Sequence, residues 1–215
     1  MYHKLIDTFF YRLYISYVIE KEDERNTDLL LSIENLCAGY DGKPVFCGFS
    51  LDVKRSEKIL VTGANGCGKT TLLKTILGII KPVHGTIKRC CTVAYCKQNT
   101  SDVTFPITVK EVVAMADDST DNIRNALKKT NTLHLQNRLF NTLSGGERQR
   151  VSLARCFCQQ AELVLLDEPT SFLDTETEKN LVEILHEFEN DDVSIIAVTH
   201  NSNVMNSLNW RIVRL

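Results

Sequence analysis

The sequence has little of several features that mark common classes of protein. Its 25 Lys and Arg residues do not outnumber its 27 Asp and Glu residues, so it lacks the basic excess that is typical of nucleic-acid-binding proteins, and we expect no nucleic-acid partner. No apolar run reaches the roughly 20 residues that a membrane-spanning helix needs. We find neither an internal repeat nor a low-complexity tract. What is left is a globular protein of ordinary composition, whose 215 residues are enough for one large domain.

The eight cysteines form no CxxC pair and have no spacing to histidine that suggests a zinc site. The sequence shows no secretory cleavage pattern, so we expect reduced cytosolic thiols. Filling of the apolar core is the expected role of most of them. Cys67 is the exception, because it lies inside a glycine-rich loop.

The first residues differ in character from the rest of the chain. Residues 5–19 are aromatic and apolar but are interrupted by Asp7 and Arg12. They suit either an upstream extension with no role of its own, which we favour, or an amphipathic segment that lies on a membrane surface or against a partner. We therefore assign residues 1–28 to an N-terminal extension and residues 29–215 to a single folded domain.

From Leu29 onward, strand-like runs alternate with helical patterns. Two predicted strands flank a turn at residues 41–43, and short apolar runs typical of buried strands follow at 58–63, 162–169 and 193–200. Helical patterns occupy the intervals, and residues of about 100–157 are predicted to form a mostly helical insert, in which Thr108 and Glu111 have the spacing of a capping box. Alternation of this kind predicts a mostly parallel sheet with helices on its faces.

An anion-binding loop is predicted at residues 63–70. Their sequence, GANGCGKT, fits G-x-x-x-x-G-K-[ST] and stands between a predicted strand and a predicted helix. The glycines let backbone N–H groups surround a β-phosphate, Lys69 supplies charge to the β- and γ-phosphates, and the Thr70 hydroxyl can ligate Mg²⁺. A glycine-rich turn could match by chance, but the strand and helix on either side argue against that interpretation.

Two acidic residues end a predicted strand downstream of this loop. Asp167 and Glu168 follow the apolar residues 163–166. Many strands end in carboxylates, but in this order after a phosphate loop the pattern indicates more. We predict that Asp167 holds Mg²⁺ and its hydration shell, and that Glu168 activates or positions the water that attacks the γ-phosphate.

A second anion site is predicted at residues 142–150, TLSGGERQR, where a hydroxyl and two glycines precede a helical pattern. With LSGG between the two preceding motifs, the chain resembles the ATP-binding subunits of ABC transporters. Tyr40 matches the aromatic residue that stacks on adenine, Gln98 the Q-loop glutamine, residues 171–174 the D-loop and His200 the switch histidine. The resemblance covers roughly residues 30–215. Phe172 and Glu147 depart from the more usual residues of the family.

The resemblance implies an α/β fold of the ABC type of P-loop NTPase, with a mainly parallel core sheet, an antiparallel β subdomain and an inserted helical subdomain. It implies an ATPase whose two copies pack head to tail, so that the LSGG helix of each reaches the γ-phosphate held by the other. The implied catalytic residues are Glu168, His200, Lys69 and Gln98, and the implied Mg²⁺ ligands are Thr70, Gln98 and Asp167. The implied ATP-binding residues are Tyr40, Gly63, Asn65, Gly66, Cys67, Gly68, Lys69, Thr70, Thr71, Ser144, Gly145 and Gly146.

Such subunits work on the cytoplasmic side of the cell membrane, with an integral membrane permease and, indirectly, a solute-binding protein. Residues 102–116, DVTFPITVKEVVAMA, resemble a segment common in ATPases of zinc, manganese or iron importers. We therefore expect metal-ion import. The alternatives are transport of another solute, export, or a soluble ABC-type ATPase that is not linked to transport, for example one that assists iron–sulfur assembly.

Overall fold

The computed structural model describes residues 28–97, 105–171, 173–189 and 191–215. Residues 1–27 of the predicted extension lie outside this range, as do Gln98 and Phe172. The described residues form two sheets and a set of helices, which is the architecture predicted from the sequence. The bounds of each element follow.

The smaller sheet is antiparallel and has the strand order β2-β1-β4. Its strands are β1 (Leu29–Tyr40), β2 (Lys43–Lys54) and β4 (His84–Arg89). The β1–β2 hairpin turns at Asp41 and Gly42, whose φ angles of 51° and 73° are those of a type I′ turn, for which Asp-Gly is a preferred pair. This tight turn confirms the predicted hairpin and places Tyr40 at its tip.

The larger sheet is parallel and carries the strand order β5-β6-β7-β3-β8. Its strands are β3 (Lys58–Thr62), β5 (Val93–Cys96), β6 (Leu163–Asp167), β7 (Ser194–Thr199) and β8 (Arg211–Arg214). Every residue of β6 and β7 is buried, as expected for parallel strands that are covered on both faces. Since the carboxyl ends of parallel strands share one edge, the loops that leave β3, β6 and β7 lie close together.

Helices cover this sheet and form the insert. They are α1 (Lys69–Ile76), α2 (Val109–Ala114), α3 (Thr120–Lys129), α4 (Gly145–Cys158), α5 (Thr175–Glu187) and α6 (Ser202–Ser207). Two short 3₁₀ turns, Leu133–Leu135 and Phe140–Thr142, lie between α3 and α4. The sequence pattern did not predict α6, whose six residues are too few to show a helical period.

The described part of the predicted insert has its own apolar core, which is built from α2, α3 and α4. The predicted capping box begins α2: the Thr108 backbone N–H donates to Glu111 Oε2 over 2.7 Å, and the Glu111 N–H donates to Thr108 Oγ1 over 3.3 Å. No helix in the described part of the chain is long and apolar enough to cross a membrane.

The structure corrects one prediction about the cysteines. Cys37 of β1 and Cys47 of β2 are joined as a disulfide, with their Cα atoms 4.0 Å apart, so the prediction that all eight are reduced is wrong at this pair. The two strands are neighbours with shifts in register, and a sequence separation of ten gives no sign of that contact. Four other cysteines are buried, in agreement with their predicted role in the core: Cys91, Cys96, Cys156 and Cys158.

Candidate functional site

A cavity of about 780 Å³ opens at the carboxyl edge of the parallel sheet. Tyr40, half exposed at the tip of the hairpin, forms one side of it together with Val45. The remaining wall comes from the glycine loop, the end of β6, the start of α5 and the end of β7: Asn65, Gly66, Gly68, Lys69, Thr70, Thr71, Glu168, Thr170, Ser171, Leu173, Glu178, His200 and Asn201. The structure thus brings together residues that are more than 150 positions apart.

The glycine loop joins β3 to α1, and its backbone requires glycine at two positions. Gly66 has φ of 80° and Gly68 has φ of 107°, a region that side chains with a Cβ rarely adopt. A Cβ on Gly68 would also lie 2.7 Å from Cδ1 of Phe46. Because Gly68 is the N-cap of α1, the unpaired N–H groups of the first helical turn face the loop, where they favour an anion.

Lys69 is buried, with 6% of its surface exposed. Its ammonium group donates to the carbonyl oxygens of Gly63 and Ala64 over 3.0 and 3.2 Å, and lies 3.4 Å from Oε1 of Glu168. These contacts hold the charge inside the glycine loop and next to the acidic end of β6. A phosphate in the loop would therefore meet both the helix N-terminus and this ammonium group.

Thr70 and Asp167 meet at the floor of the site. Thr70 Oγ1 donates to Asp167 Oδ1 over 2.9 Å, and the Tyr95 hydroxyl donates to Asp167 Oδ2 over 2.8 Å. Burial raises the pKa of Asp167, against the hydrogen bonds from Tyr95 and Thr70, which lower it. Tyr95 was missed from the sequence, because its relation to Asp167 appears only once β5 is known to pair with β6.

The Thr70–Asp167 pair fits magnesium. Hydroxyl and carboxylate oxygens are ligands that Mg²⁺ prefers, and Mg²⁺ at phosphate sites is usually held by one or two protein oxygens together with phosphates and water. The described residues contain no group of three or more His, Cys, Asp or Glu side chains that could hold a metal. Such a sparse donor set suits a Mg²⁺–nucleotide complex better than a dedicated all-protein site.

Glu168 follows β6 in a left-handed conformation, with φ of 47°. Its backbone N–H donates to the Val198 carbonyl of β7 over 3.0 Å, which fixes the turn. Only 7% of Glu168 is exposed, and both carboxylate oxygens lie 2.9 Å from Nδ1 of His200. The Ser171 hydroxyl donates to Oε2 over 3.3 Å. A left-handed non-glycine residue costs roughly 1–2 kcal/mol, and such strain persists only where the surrounding structure holds the residue in place.

The LSGG segment begins α4 with a capping box. The Ser144 N–H donates to Glu147 Oε2 over 2.8 Å, and Ser144 Oγ accepts from the Glu147 N–H over 3.3 Å. The hydrogen bond from the Ser144 backbone holds the pKa of Glu147 below its usual value. Glu147, one of the two residues that depart from the family pattern, therefore stabilises the N-terminal tip of α4.

The two glycines of LSGG have different surroundings. A Cβ on Gly146 would lie 2.2 Å from Cγ2 of Thr177 in α5, whereas a Cβ on Gly145 would meet no described atom within 4 Å. Ser144, Gly145 and Gly146 are absent from the cavity wall formed by the described residues. The LSGG residues of a chain therefore do not form part of the wall of that chain's own cavity.

The other predicted site residues fall into two groups. Gly63, Cys67 and Asp167 do not line the cavity as described but adjoin it. Gly63 contacts Lys69 through its carbonyl oxygen, and a Cβ at Gly63 would lie 2.6 Å from the Cys67 sulfur. Gln98 lies outside the described residues, so its predicted role stays a prediction.

Cys67 allows a chemical test of the loop. It is half-buried beside Gly63, while four other free thiols are buried and Cys90 is exposed. A bulky maleimide on Cys67 is expected to block ATP binding, because the adduct must occupy the loop, and MgATP should protect the thiol. Nucleotide binding is measured with and without labelling. The Cys67→Ser variant should bind ATP and resist the reagent; a loss of binding in that labelled variant would show that another thiol is responsible.

With this geometry established, comparisons identify the family. The family model described as ABC transporter matches residues 46–171. The high-affinity zinc uptake system ATP-binding protein ZnuC of Bacillus subtilis (strain 168) is 30% identical, over 86% of this chain and 90% of that protein. The chain belongs to the ABC transporter family: it is an ATP-binding subunit and an ATPase.

Two solved structures extend this result to the fold. One, in an inward-facing conformation and described as being of the metal-chelate type, has a TM-score of 0.78 at 30% identity, over 87% of this chain and 80% of that one. The other, cbiO1 from Clostridium perfringens, part of the cbiONQ transporter complex, has a TM-score of 0.72 at 26% identity, over 81% and 79%. The predicted family, fold class and ATPase activity are confirmed.

Proposed function

We propose that this chain hydrolyses ATP as a head-to-tail dimer and thereby powers a membrane permease, from the cytoplasmic face of the membrane, for the import of metal ions. The main structural support for this proposal is the cluster of Lys69, Glu168 and His200 beside the Thr70–Asp167 pair. These side chains combine a phosphate-binding charge, a buried carboxylate and an imidazole ring in one cavity. That set suits hydrolysis better than nucleotide binding alone.

We assign each side chain of this cluster a part in hydrolysis from its contacts in the cavity. Lys69 binds the β- and γ-phosphates from its place inside the loop, and Glu168 accepts a proton from the attacking water. His200, whose Nδ1 lies 2.9 Å from Oε1 of Glu168, orients the Glu168 carboxylate and contacts the γ-phosphate of bound ATP. Magnesium, which Thr70 and Asp167 would hold and for which Gln98 is the third predicted ligand, would neutralise part of the phosphate charge.

The dimer explains why the chain has two separate anion sites. In a two-fold dimer each copy presents the same surface to its partner. The LSGG helix tip of each copy can therefore complete the ATP site of the other copy. Ser144 and Gly145 do not line the described cavity of their own chain, and a Cβ on Gly145 would meet no described atom within 4 Å. The partner copy's γ-phosphate would contact the N–H groups at this tip. Hydrolysis removes that shared phosphate, and the dimer opens.

Metal import is the finer part of the proposal. Its support is the similarity to a zinc uptake ATP-binding protein and to a structure of the metal-chelate type, together with the segment that carries the Thr108–Glu111 capping box. The permease, the associated solute-binding protein and the cytoplasmic location belong to the same proposal, and membership of the ABC transporter family supports them. The metal is cargo in this scheme, and the chain itself requires only Mg²⁺.

Uptake assays test the substrate. A strain that lacks this chain should grow poorly in medium treated with a metal chelator, and one added metal among zinc, manganese and iron should restore growth. Plasmid-borne wild type should restore accumulation of that metal, whereas Glu168→Gln should not. Normal accumulation of all three metals without the chain would contradict metal import and leave the ATPase assignment intact.

The soluble alternative is tested by purification. If the chain serves transport, a tagged copy should co-purify with a multi-span membrane protein from detergent extracts. If it assists iron–sulfur assembly instead, soluble scaffold proteins should accompany it in detergent-free lysate and no membrane protein should.

A further inference from the structure

A hydrogen bond joins the start of α5 to the loop that follows β7. Glu178 Oε2 accepts from the Asn201 side-chain amide over 2.5 Å, and both residues line the nucleotide cavity. Asn201 directly follows His200, which contacts Glu168. The family motifs include neither Glu178 nor Asn201, and the sequence analysis singled out neither residue.

Asn201 makes three hydrogen bonds through its backbone N–H and its side chain. Its backbone N–H donates to Thr199 Oγ1 over 3.0 Å, and its side-chain oxygen accepts from the Asn203 N–H over 2.9 Å to cap α6. The remaining polar group of the side chain, its NH₂, is the donor to Glu178. The first two contacts are made with the end of β7 and the start of α6, which are close to Asn201 in the sequence. Among the hydrogen bonds of the described residues, the one to Glu178 ties this segment to α5.

His200 is exposed among the described residues. Its side chain is 47% exposed, whereas Glu168 beside it is 8% exposed. Exposed side chains change rotamer readily, so the direction of this ring depends on its contact with Glu168 and on the backbone that places the ring within reach of that carboxylate. The backbone of residue 200 is in turn set by the β7 end and by Asn201.

We propose that Glu178 is a positioning residue: through Asn201 it holds the His200 ring toward Glu168 and the γ-phosphate. This inference rests on the proposed function, since it assigns Glu178 a part in the same hydrolysis. Glu178 itself touches neither phosphate nor water in this scheme. Small displacements of an oriented group reduce the rate of the chemical step more than they reduce substrate binding.

The first test separates turnover from binding. Glu178→Ala is expected to lower kcat for ATP by about tenfold, a change typical of a lost orienting contact. The KM for ATP should change by less than about twofold, because the glycine loop and Lys69 are untouched. Glu178→Gln should keep most of the activity, since its amide oxygen still accepts from Asn201. Glu183→Gln, an exposed substitution on the same helix, is the matched control and should behave as wild type.

The second test reverses the hydrogen bond. Asn201→Asp alone places two carboxylates face to face and should lower kcat as Glu178→Ala does, while the aspartate can still cap α6. Combining Asn201→Asp with Glu178→Gln restores one donor and one acceptor, so the double variant should recover most of the lost rate. Asn201→Asp combined with Glu183→Gln restores the same net charge but leaves the two facing carboxylates, so it should not recover, and recovery in the swapped pair alone assigns the effect to the hydrogen bond.

Two backgrounds separate failure of this proposal from failure of the proposed function. In His200→Ala, the further change Glu178→Ala should have no added effect on kcat, because the group it positions is gone. If Glu168→Gln is inactive yet Glu178→Ala has the wild-type kcat, the positioning role of Glu178 is contradicted, whereas the proposed hydrolysis site is not. A rise in KM with unchanged kcat, or failure of the swapped pair to recover, overturns it equally. If Glu168→Gln is fully active, the hydrolysis site itself is wrongly assigned.

Discussion

Glu168→Gln is expected to remove ATP turnover almost completely while leaving ATP binding intact. The amide cannot accept the proton of the attacking water, and loss of a positioned general base costs about 10²–10⁴ in rate. Binding should survive, because Lys69 keeps its contacts to Gly63 and Ala64 and the loop glycines are unchanged. Phosphate release and ATP affinity are the two measurements.

The same variant should accumulate as a dimer in MgATP. If the γ-phosphate is what joins the copies, a copy that cannot remove it cannot separate. Glu183→Gln, exposed on α5, serves as the matched acid-to-amide control and should turn over ATP normally. Undiminished phosphate release from Glu168→Gln would remove Glu168 from the role of catalytic base.

Gly145→Asp is expected to abolish turnover without harming the fold. Space around Gly145 is open in the single chain, and an acidic residue in the first turn of α4 is favourable to the helix. In the dimer that carboxylate would stand where the partner copy's γ-phosphate must bind, and its repulsion should lower turnover by about 10² or more. ATP affinity of the isolated chain should stay near wild type.

Gly145→Asn controls for size without charge and should retain more activity than Gly145→Asp. Gly146→Ala should behave differently from both, because its Cβ would lie 2.2 Å from Cγ2 of Thr177. Overpacking of this kind costs about 1–3 kcal/mol of folding free energy, so its melting temperature should fall. An unstable Gly145→Asp together with an unaffected Gly146→Ala would contradict the description of this helix tip.

Much of the fold and the site was predictable from local patterns. The Asp41–Gly42 turn, the buried strands that end at Thr62 and Asp167, and the Thr108–Glu111 capping box each depend on neighbours in the sequence, and each was found where predicted. The positions of Lys69, Thr70 and Glu168 at the cavity were predictable for a related reason: a loop that follows a parallel strand lies at the carboxyl edge of the sheet. Their roles stay predictions.

What escaped prediction depends on contacts across the fold. Tyr95 donates to Asp167, and Glu178 accepts from Asn201, yet no spacing in the sequence encodes either pair. The Cys37–Cys47 pairing likewise follows from the register between strands. The different surroundings of Gly145 and Gly146 needed α5 in place, because Thr177 is what distinguishes them.

Mixing two inactive variants tests the central claim, that one copy's LSGG helix completes the other's ATP site. Lys69→Ala disables the glycine loop and Gly145→Asp disables the helix tip, so each variant alone should be inactive. In a mixed dimer, one of the two sites combines the intact glycine loop of the Gly145→Asp copy with the intact LSGG helix tip of the Lys69→Ala copy. At equal mixing about half of the dimers are mixed and each has one working site of two, so ATPase activity should return to about a quarter of wild type. Activity that stays at the level of the separate variants, although mixed dimers are present, would contradict the claim.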